Sequence, residues 1–329
     1  MADAPVHECV LDSIGNTPLL ELSLRHNGST YHVYAKLEFM NPSGSIKDRM
    51  AKHIVEQAES KSLLRPGYAI VEATSGNTGI ALSMVAAAKG YKMTVVMPEH
   101  MTGERIRMMA NLGATICLTP KSEGFEGAVQ RADAIASSDE HFFLGNQFRN
   151  PDNTMAHYYT TGREIVQQVD GDLDCFVAGV GTGGTLMGVG RAVREKNPKT
   201  RLVAVEPEEA AILSGRKHLL DHKIAGIGDG FIPEIVDTSM IDQIVTVKSD
   251  EAIEMARKLS REQGLPVGIS SGANVLASLR ILDEIGRDRK LVTVLPDRTE
   301  RYFSTDLYLA TEPLVRHCSR HCECPFQSL

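Results

Sequence analysis

The sequence predicts an α/β protein in which mostly parallel sheets are flanked by helices. Short β-branched runs such as "AIVEA" and "RLVAVEP" alternate with segments of helical period along almost the whole chain, as expected for parallel strands joined by crossover helices. The 329 residues exceed the usual size of a single hydrophobic core. No internal repeat or low-complexity linker interrupts the chain, so we expect two closely joined lobes.

The individual elements follow from the spacing of apolar residues and from the turn residues between them. Strands are expected at six short runs rich in β-branched residues: "AIVEA", "KMTVVM", "ATICLT", "DCFVAGV", "RLVAVEP" and "KLVTVL". Apolar residues at helical spacing surround these runs. The predicted helices cover residues 48–62, 79–90, 103–112, 123–138, 155–169, 185–196, 250–264 and 273–286.

Two stretches rich in turn-forming residues mark the places where the chain crosses between the lobes. They are "KLEFMNPSG" (36–44) and "GNQFRNPDN" (145–153). We therefore expect a smaller, mobile lobe formed by residues 39–153. The larger lobe is expected to combine residues 1–38 with residues 154–329.

Composition and charge exclude several classes of function. The net charge of −7 and the pI near 5.9 provide no basic surface for a nucleic-acid backbone. No apolar run is long enough to cross a bilayer. The first residues, "MADAPVHECVLDSIGNTP", contain no basic region followed by an apolar one, as a secretory signal would. We expect a cytoplasmic protein that acts on small molecules, without a nucleic-acid or membrane partner.

A glycine-rich loop follows the strand predicted at "DCFVAGV". Gly179, Gly181 and Gly184 spell G-x-G-x-x-G, and an acidic residue ends the next strand. This pattern matches the dinucleotide-binding fingerprint, so an NAD-dependent dehydrogenase stays open. The same backbone amides at a helix start would also bind a monophosphate. Thr182 and Thr185 add hydroxyl donors to a compact loop, and they favour the monophosphate.

A second loop, "EATSGNTG", also runs from a strand into a helix. Its polar side chains are Thr74, Ser75, Asn77 and Thr78. One such residue would be an ordinary helix N-cap. Four of them beside two glycines exceed what capping requires, so this loop is expected to bind a carboxylate.

The position of Lys47 in "NPSGSIKDR" requires an explanation, because a lysine at a predicted helix start is unfavourable to the helix dipole. A third loop, "PVGISSGA", runs from a predicted short strand into a helix and brings the uncharged hydroxyls of Ser270 and Ser271. Together with the phosphate and carboxylate loops, these features suggest an amine that forms a Schiff base with an aldehyde cofactor. Lys47 is therefore the candidate anchor of pyridoxal phosphate.

Seven motifs occur in the order found in one enzyme family. They are "IGNTPL", "NPSGSIKDR", "EATSGNTG", "GTGGT", "GIGDGFIP", "GISSGA" and "ERYFST". With them the chain resembles, over nearly its whole length, the cysteine synthases (O-acetylserine sulfhydrylases) of the tryptophan-synthase-β-like pyridoxal phosphate enzymes. "EATSGNTGIAL" and "NPDNTMAHYYTTG" are closer to the bacterial B-type isozyme than to the A-type. The resemblance implies the two-lobed architecture of fold-type II.

The same resemblance implies a role for each candidate residue. Lys47 holds the cofactor as an aldimine and serves as the catalytic base, Asn77 lies by the cofactor's 3′-oxygen, and Ser270 meets the pyridine nitrogen. The cofactor phosphate is bound by Gly181, Thr182, Gly183, Gly184 and Thr185. The substrate carboxylate is held by Thr74, Ser75, Gly76, Thr78 and Gln147. No metal is implied.

The implied reaction is a β-replacement. O-acetyl-L-serine loses its α-proton and acetate to leave an aminoacrylate, and sulfide then attacks Cβ to give L-cysteine; thiosulfate is an alternative sulfur donor. The implied partners are a second copy of the chain, forming a homodimer, and the C-terminal tail of a serine acetyltransferase. The alternatives are an O-phosphoserine sulfhydrylase, an S-sulfocysteine synthase, an enzyme like cystathionine β-synthase, or a non-catalytic sensor that binds pyridoxal phosphate.

Two segments bear on the choice of leaving group. "LPDRTERYFST" departs from the family's usual Ser-Gly pair at Arg298 and Thr299. "HKIAGIGDGFIPE" is expected to line the leaving-group side with small apolar residues and Asp229. A phosphoserine substrate would need a cation there, preferably an arginine, so an acetyl ester is expected.

The end of the chain carries three closely spaced cysteines. Cys318, Cys322 and Cys324 lie among two histidines, but C-x3-C-x-C is not a standard zinc spacing. A reduced, disordered tail is therefore expected, and metal binding or redox sensing by the tail is the alternative.

Overall fold

Two sheets organise the chain, and both carry parallel strands. A computed structural model describes residues 6–74, 76–99, 103–216 and 220–309. Within them the strands are, in chain order, β1 (Leu19–His26), β2 (Ser29–Lys36), β3 (Ala69–Ala73), β4 (Lys92–Pro98), β5 (Thr115–Thr119), β6 (Phe142–Leu144), β7 (Cys175–Gly179), β8 (Arg201–Pro207), β9 (Gln243–Val247) and β10 (Leu291–Val294). The first sheet has the order β1-β2-β10-β7-β8-β9, and the second has the order β5-β4-β3-β6.

Helices separate most of the strands, as the predicted crossovers require. They are α1 (Lys47–Ser60), α2 (Asn77–Lys89), α3 (Gly103–Asn111), α4 (Gly124–Ser138), α5 (Pro151–His157), α6 (Arg163–Gln168), α7 (Gly184–Lys196), α8 (Ser249–Gln263), α9 (Ile269–Ile285) and α10 (Asp306–Leu309). Apolar residues of α8 and α9 pack on one face of the six-stranded sheet, and those of α6 and α7 pack on the other. Because both faces are covered, β7 and β10 are apolar and buried almost throughout. The predicted α/β class is confirmed.

The first sheet begins with an antiparallel hairpin that the sequence-based prediction lacks. Strands β1 and β2 pair in register from Leu19–Lys36 to His26–Ser29. Their two-residue turn is Asn27-Gly28, and both residues have positive φ, 48° and 76°. Asn-Gly is the strongest short-range signal of such a hairpin, so the hairpin could have been predicted from the sequence. The short strands β6 and β9 were also not predicted.

One predicted helix, 155–169, is wrong in its continuity. The structure instead has α5, a π-helical turn over Tyr158–Gly162, and α6. The helix begins earlier than predicted because Asn150 caps it by accepting a hydrogen bond from the amide of Asp152 at 3.0 Å. None of the helices in the described part of the chain combines the length and the hydropathy of a membrane-spanning segment.

A buried ion cluster fixes α1. Arg49 Nε lies 2.6 Å from Glu38 Oε2, and Arg49 Nη1 lies 2.6 Å from Glu164 Oε1 on α6. Lys36 Nζ also contacts Glu164, at 2.6 Å. Burial raises the pKa of Glu164, but the hydrogen bond and charge of Arg49 outweigh burial and bring that pKa to about 2. The cluster therefore holds the first turn of α1 against α6.

Glu72, the fourth residue of β3, is a buried carboxyl without a cationic partner among the described residues. Its Oε1 accepts a hydrogen bond from the amide of Gln147 at 3.4 Å, and its Oε2 has no described partner. Asn146, just before Gln147, has φ of +53°. Burial raises the pKa of Glu72 to about 8, so this carboxyl supports a strained loop mainly as the neutral acid.

Replacing Arg49 should show how much α1 depends on the ion cluster. Arg49→Met leaves the carboxylates of Glu38 and Glu164 buried beside an apolar side chain, so we expect the free energy of unfolding to fall by about 3–5 kcal/mol. The control is Arg149→Met, which breaks the exposed pair Arg149–Glu234 and should cost only about 0–1 kcal/mol. Urea unfolding followed by circular dichroism measures both. If both variants lose only a similar, small free energy of unfolding, the ion cluster does not stabilise α1 as proposed.

The raised pKa of Glu72 predicts a pH dependence of stability. A carboxyl whose folded pKa lies above its unfolded value contributes full stability below the unfolded pKa of about 4.5 and loses it as the pH rises through about 8. Glu72→Gln has no proton to lose, so its free energy of unfolding should not fall over this range. Relative to wild type, the free energy of unfolding of the variant should rise between those pH values by on the order of 4 kcal/mol. Urea unfolding of both proteins across that pH range tests the prediction. If the two free energies of unfolding change with pH in parallel, the prediction is refuted.

Candidate active site

Lys47 is the first residue of α1 and faces a cleft of about 830 Å³. The turn before it is held by Asp48, whose carboxylate accepts a hydrogen bond from the amide of Ser43 at 2.7 Å. No described residue forms a hydrogen bond or an ion pair with the amine of Lys47. Burial lowers the pKa of Lys47, against the opposing charges of Asp229 and Asp297. The amine is therefore unpaired and easier to deprotonate than an ordinary lysine.

The predicted phosphate loop joins β7 to α7 beside Lys47. Gly181, Thr182, Gly183 and Thr185 line one cavity with Lys47, and Gly184 begins the helix. A Cβ on Gly181 would lie 2.2 Å from the carbonyl oxygen of Gly226, and Gly183 has φ of +85°. The chain can approach so closely only without side chains. The amides of this loop and the start of α7 suit a phosphate group.

The acidic residue near the end of the strand after the glycine-rich loop is Glu206, and its carboxylate argues against the dinucleotide alternative. Its two oxygens accept hydrogen bonds from the amides of Leu213 and Ser214 at 2.8 and 2.9 Å. The side chain is buried, so its carboxylate is already bound within the protein. An NAD-binding loop would need an acidic residue here that can reach a ribose hydroxyl.

The predicted carboxylate loop lies across the same cleft. The cleft around Lys47 is lined by four described residues of this loop, Thr74, Gly76, Asn77 and Thr78, and by Gln147, which follows β6. The hydroxyl of Thr78 donates to Gln147 Oε1 at 2.6 Å, and the amide of Gly76 donates to the Thr74 hydroxyl at 3.3 Å. Ser75 lies outside the described residues. The loop thus brings hydroxyl, amide and backbone donors to one side of the lysine.

Asn77 is held from two directions by the C-terminal part of the chain. Its Oδ1 accepts a hydrogen bond from Arg301 Nη1 at 2.6 Å, and its Nδ2 donates to Asp297 Oδ2 at 2.6 Å. The hydroxyl of Tyr302 donates to the same carboxylate oxygen, at 2.7 Å. These contacts fix which side of the amide points to each neighbour, and no signal in the sequence predicted them.

Ser270 lies in the first turn of α9 and lines the cavity of Lys47. Its hydroxyl makes no hydrogen bond to another described residue. One turn later, Asn274 accepts a hydrogen bond from the amide of Gly179 at 2.8 Å, which ties α9 to the phosphate loop. The short strand predicted before Ser270 is an isolated bridge at Val267, and the helix begins at Ile269.

Two cations line the cleft that the sequence did not single out. They are Arg105 near the start of α3 and Lys121 just after β5. Arg105 is buried, with its guanidinium 5.4 Å from the ring centre of Tyr302. Both follow the carboxyl ends of parallel strands, where ligands usually bind, and that signal could have identified them.

Asp229 lines the cleft with Ala225, Gly226, Ile227 and Gly228, as the predicted leaving-group segment requires. Arg298 does not line the cleft. Its Nε donates instead to the carbonyl oxygen of Phe39 at 2.8 Å.

The described residues contain no group of three or more histidine, cysteine, aspartate or glutamate side chains that could hold a metal ion. The cysteines at 318, 322 and 324 lie outside the described residues, so metal binding by the tail stays a prediction.

Known proteins are similar to this chain in sequence and in fold. A family model described as pyridoxal-phosphate-dependent enzyme matches residues 10–297. A cysteine synthase from Staphylococcus aureus is 45% identical over 310 residues, covering 94% of this chain and 99% of the relative. The crystal structure of an O-ureido-L-serine synthase has a TM-score of 0.89 and 41% identity, covering 94% of this chain and 97% of that one. A cysteine synthase structure from Entamoeba histolytica has a TM-score of 0.88 and 38% identity, covering 95% of this chain and 94% of that one.

These matches confirm the resemblance to cysteine synthases that the seven motifs carry. The family model covers most of the chain, and the 45% identity extends over nearly all of it. The chain belongs to the family of pyridoxal-phosphate-dependent enzymes, among the relatives of cysteine synthase.

Proposed function

We propose that this protein makes L-cysteine and acetate from O-acetyl-L-serine and sulfide, in a β-replacement that uses pyridoxal phosphate. The observation that carries the proposal is the unpaired amine of Lys47, which shares one cavity with the phosphate loop and one cleft with the carboxylate loop. The similarity to cysteine synthases supports the same reaction. Related β-replacements stay the alternative, because one similar structure is that of an O-ureido-L-serine synthase.

The residues around Lys47 fit the cofactor. A Cβ at Gly181 would meet the carbonyl oxygen of Gly226, and one at Gly184 would meet the side chain of Asn153, so the loop can take this path only with glycine at both positions. Its amides up to Thr185 are suited to bind the phosphate. The free hydroxyl of Ser270 is suited to the pyridine nitrogen, and Asn77 to the 3′-oxygen. Bound there, pyridoxal phosphate supplies an aldehyde for an amine and a ring that takes up electrons from the substrate Cα.

The carboxylate loop orients the amino-acid substrate for proton removal. Hydroxyl and amide donors hold the substrate carboxylate, and they belong to Thr74, Ser75, Gly76, Thr78 and Gln147. This placement directs the Cα–H toward Lys47. Since burial lowers the pKa of Lys47, its amine takes that proton as the general base at neutral pH.

Ser270 and the small apolar residues on the leaving-group side of the cleft favour elimination. A hydroxyl beside the ring nitrogen does not hold a proton there as a carboxylate would. By leaving that nitrogen unprotonated, Ser270 would favour loss of the β-group over transamination. On the other side, Ala225, Gly226 and Ile227 accommodate a neutral acetyl ester without leaving a charge unpaired.

We further propose that residues 39–153 form a smaller lobe that closes when the carboxylate binds. The four-stranded sheet lies wholly within this range, which supports a separate body. Closure would exclude water from the reacting atoms. The family resemblance also supports a cytoplasmic homodimer and the docking of a serine acetyltransferase tail.

The visible spectrum of the purified holoenzyme tests the proposed function. O-acetyl-L-serine should replace the resting absorption band by a new one, and sulfide should restore the first band with release of cysteine. A dehydrogenase would bind NADH and show no cofactor band. A sensor would show the band but negligible turnover with any β-substituted serine.

Lys47→Ala should abolish both the resting visible band and essentially all β-replacement, because it removes the amine that binds the cofactor and the base at Cα. Circular dichroism should show an unchanged fold. The matched control is Lys61→Ala at the C-terminal cap of the same helix, where the lysine forms an exposed pair with Asp152 and both readouts should survive. A resting band that persists in the Lys47 variant would refute the assignment.

O-acetylserine should be preferred over O-phosphoserine by at least about tenfold in kcat/KM, equivalent to about 1.4 kcal/mol. Asp229 lines the cleft and would repel a phosphate on the proposed leaving-group side. Arg105 is the buried cation in the cleft that could oppose this effect, so Arg105→Gln should lower the use of O-phosphoserine more than that of O-acetylserine. Steady-state kinetics with both esters at one sulfide concentration measure the two kcat/KM values. An equal or higher value for O-phosphoserine contradicts the predicted preference.

A further inference from the structure

Arg301 is a fully buried cation that lies behind the cleft. It belongs to the short helical turn Thr299–Tyr302, which follows β10. Its side chain lines neither the cleft nor the smaller cavity beside Lys47. A buried guanidinium is costly unless its donors are satisfied, so the groups that Arg301 contacts indicate why the chain keeps it there.

The two terminal nitrogens of Arg301 hold two different parts of the site. Nη1 donates to Oδ1 of Asn77, the first residue of α2, at 2.6 Å. Nη2 donates to the carbonyl oxygen of Ser43, in the turn before Lys47, at 2.7 Å. The described ion pair of Arg301, with Glu300, is long at 4.0 Å. The guanidinium is therefore directed mainly at two carbonyl oxygens, one beside each side of the cleft.

The backbone before Lys47 is shaped to admit this guanidinium. Gly44 has φ of +87°, and a Cβ there would lie 2.7 Å from Arg301 Nη2. Only glycine combines this conformation with so close an approach. The amide of Ile46 also donates to the carbonyl oxygen of Pro296 at 2.8 Å. The segment after β10 thus holds the turn that leads to Lys47 with a backbone bond as well as with the side chain of Arg301.

Asp297 holds the other end of the Asn77 amide. Its Oδ2 accepts a hydrogen bond from Asn77 Nδ2 at 2.6 Å and one from the hydroxyl of Tyr302 at 2.7 Å. Asp297 is buried, and its Oδ1 has no described partner. The amide of Asn77 therefore has a cation at its oxygen and a carboxylate at its nitrogen. Both neighbours polarise the amide in the same sense, which makes its N–H groups stronger donors.

One hydrogen on the nitrogen of Asn77 stays available to a ligand. The NH₂ group carries two donors. Asp297 accepts one of them, and no other described residue accepts from Nδ2. Asn77 lines the cleft together with Lys47. The reversed amide would present its carbonyl oxygen where this N–H group lies, and it would repel an ionised oxygen of a ligand. The two charged partners exclude that orientation.

We propose that Arg301 and Asp297 are positioning residues for the cofactor: they hold Asn77 so that a polarised N–H group donates to the 3′-oxygen. This inference rests on the proposed function, which assigns pyridoxal phosphate to the cleft. A strong donor favours the ionised form of that oxygen. The oxygen is adjacent to the aldehyde, so its negative charge helps the Lys47 nitrogen to keep its proton in the resting enzyme. Through Ser43, Arg301 also sets the position of the lysine relative to this amide.

The test measures the affinity of the full-length protein, freed of cofactor, for two ligands. One is pyridoxal phosphate and the other is its 3-deoxy analogue, which lacks the 3′-oxygen. Arg301→Lys keeps the charge but loses the planar fork that reaches two oxygens, and Asp297→Asn keeps an acceptor but loses the charge. Titration followed by absorbance should show that each variant binds pyridoxal phosphate about tenfold or more weakly than wild type. The affinity of each variant for the analogue should stay within about twofold of the wild-type value, because the analogue has no oxygen for Asn77 to contact.

A double-mutant cycle shows whether Arg301 acts through Asn77. In an Asn77→Ala background, Arg301→Lys should change the affinity for pyridoxal phosphate by less than about twofold, because the amide that Arg301 positions is absent. The resting visible band should shift in Arg301→Lys alone, and the same substitution should cause no further shift in the Asn77→Ala background. The matched control is Arg298→Lys, whose Nε donates to the carbonyl oxygen of Phe39 outside the cleft, and it should behave as wild type in every measurement.

The outcomes separate this inference from the proposed function. The inference is overturned if Arg301→Lys weakens both ligands equally, weakens neither, or acts equally with and without Asn77. Circular dichroism checks the fold, and if one of the two positioning variants does not fold, the other gives the result. A wild type that binds the analogue as tightly as pyridoxal phosphate also overturns the inference. A protein that passes these binding tests but makes no cysteine from O-acetylserine refutes the proposed reaction and leaves the inference standing.

Discussion

The active site depends on keeping one lysine amine half-buried at the cleft with no hydrogen-bond or ion-pair partner among the described residues. A cation that is partly removed from water and unpaired is costly, and the chain avoids that cost by lowering the pKa of Lys47 rather than by pairing its amine. Two residues later, Arg49 is fully paired with Glu38 and Glu164. The same helix turn therefore carries an unpaired amine toward the cleft and a satisfied guanidinium toward the interior. The ion cluster fixes the backbone so that Lys47 can stay free.

The convergence of the loops on Lys47 follows from the parallel sheets. The carboxylate loop follows β3, Gln147 follows β6, and the phosphate loop follows β7. Carboxyl ends of parallel strands lie at one edge of a sheet, so loops that are distant in the sequence meet without any local signal. Helices α2 and α7 begin at these loops, so their N-terminal amides lie where the anionic groups of substrate and cofactor are proposed to bind.

Sequence patterns identified the elements and the loops, whereas the partners of individual side chains came only from the structure. The strands at 69–73 and 201–207 were predicted with their observed bounds because their β-branched runs end at turn residues. Lys47 was predicted at the start of a helix, and α1 begins there. Asn77, in contrast, is held by Asp297 and Arg301, more than 200 residues away, and no periodicity reports such a pairing. Glu206 matched a dinucleotide pattern, but its hydrogen bonds give it a structural role.

The bonds of Asn77 also constrain how the proposed smaller lobe can close. Asn77 begins α2, whereas Asp297 and Arg301 follow β10 of the six-stranded sheet. Relative movement of the two parts strains these charge-assisted hydrogen bonds, each of which contributes about 1.5–3 kcal/mol. In the proposed complex, a substrate carboxylate would supply compensating free energy at Thr78 and Gln147, whose side chains are hydrogen-bonded to each other. Because Asn77 and Thr78 are adjacent in the chain, a carboxylate bound at the proposed loop would act directly on one of the residues that link the two parts.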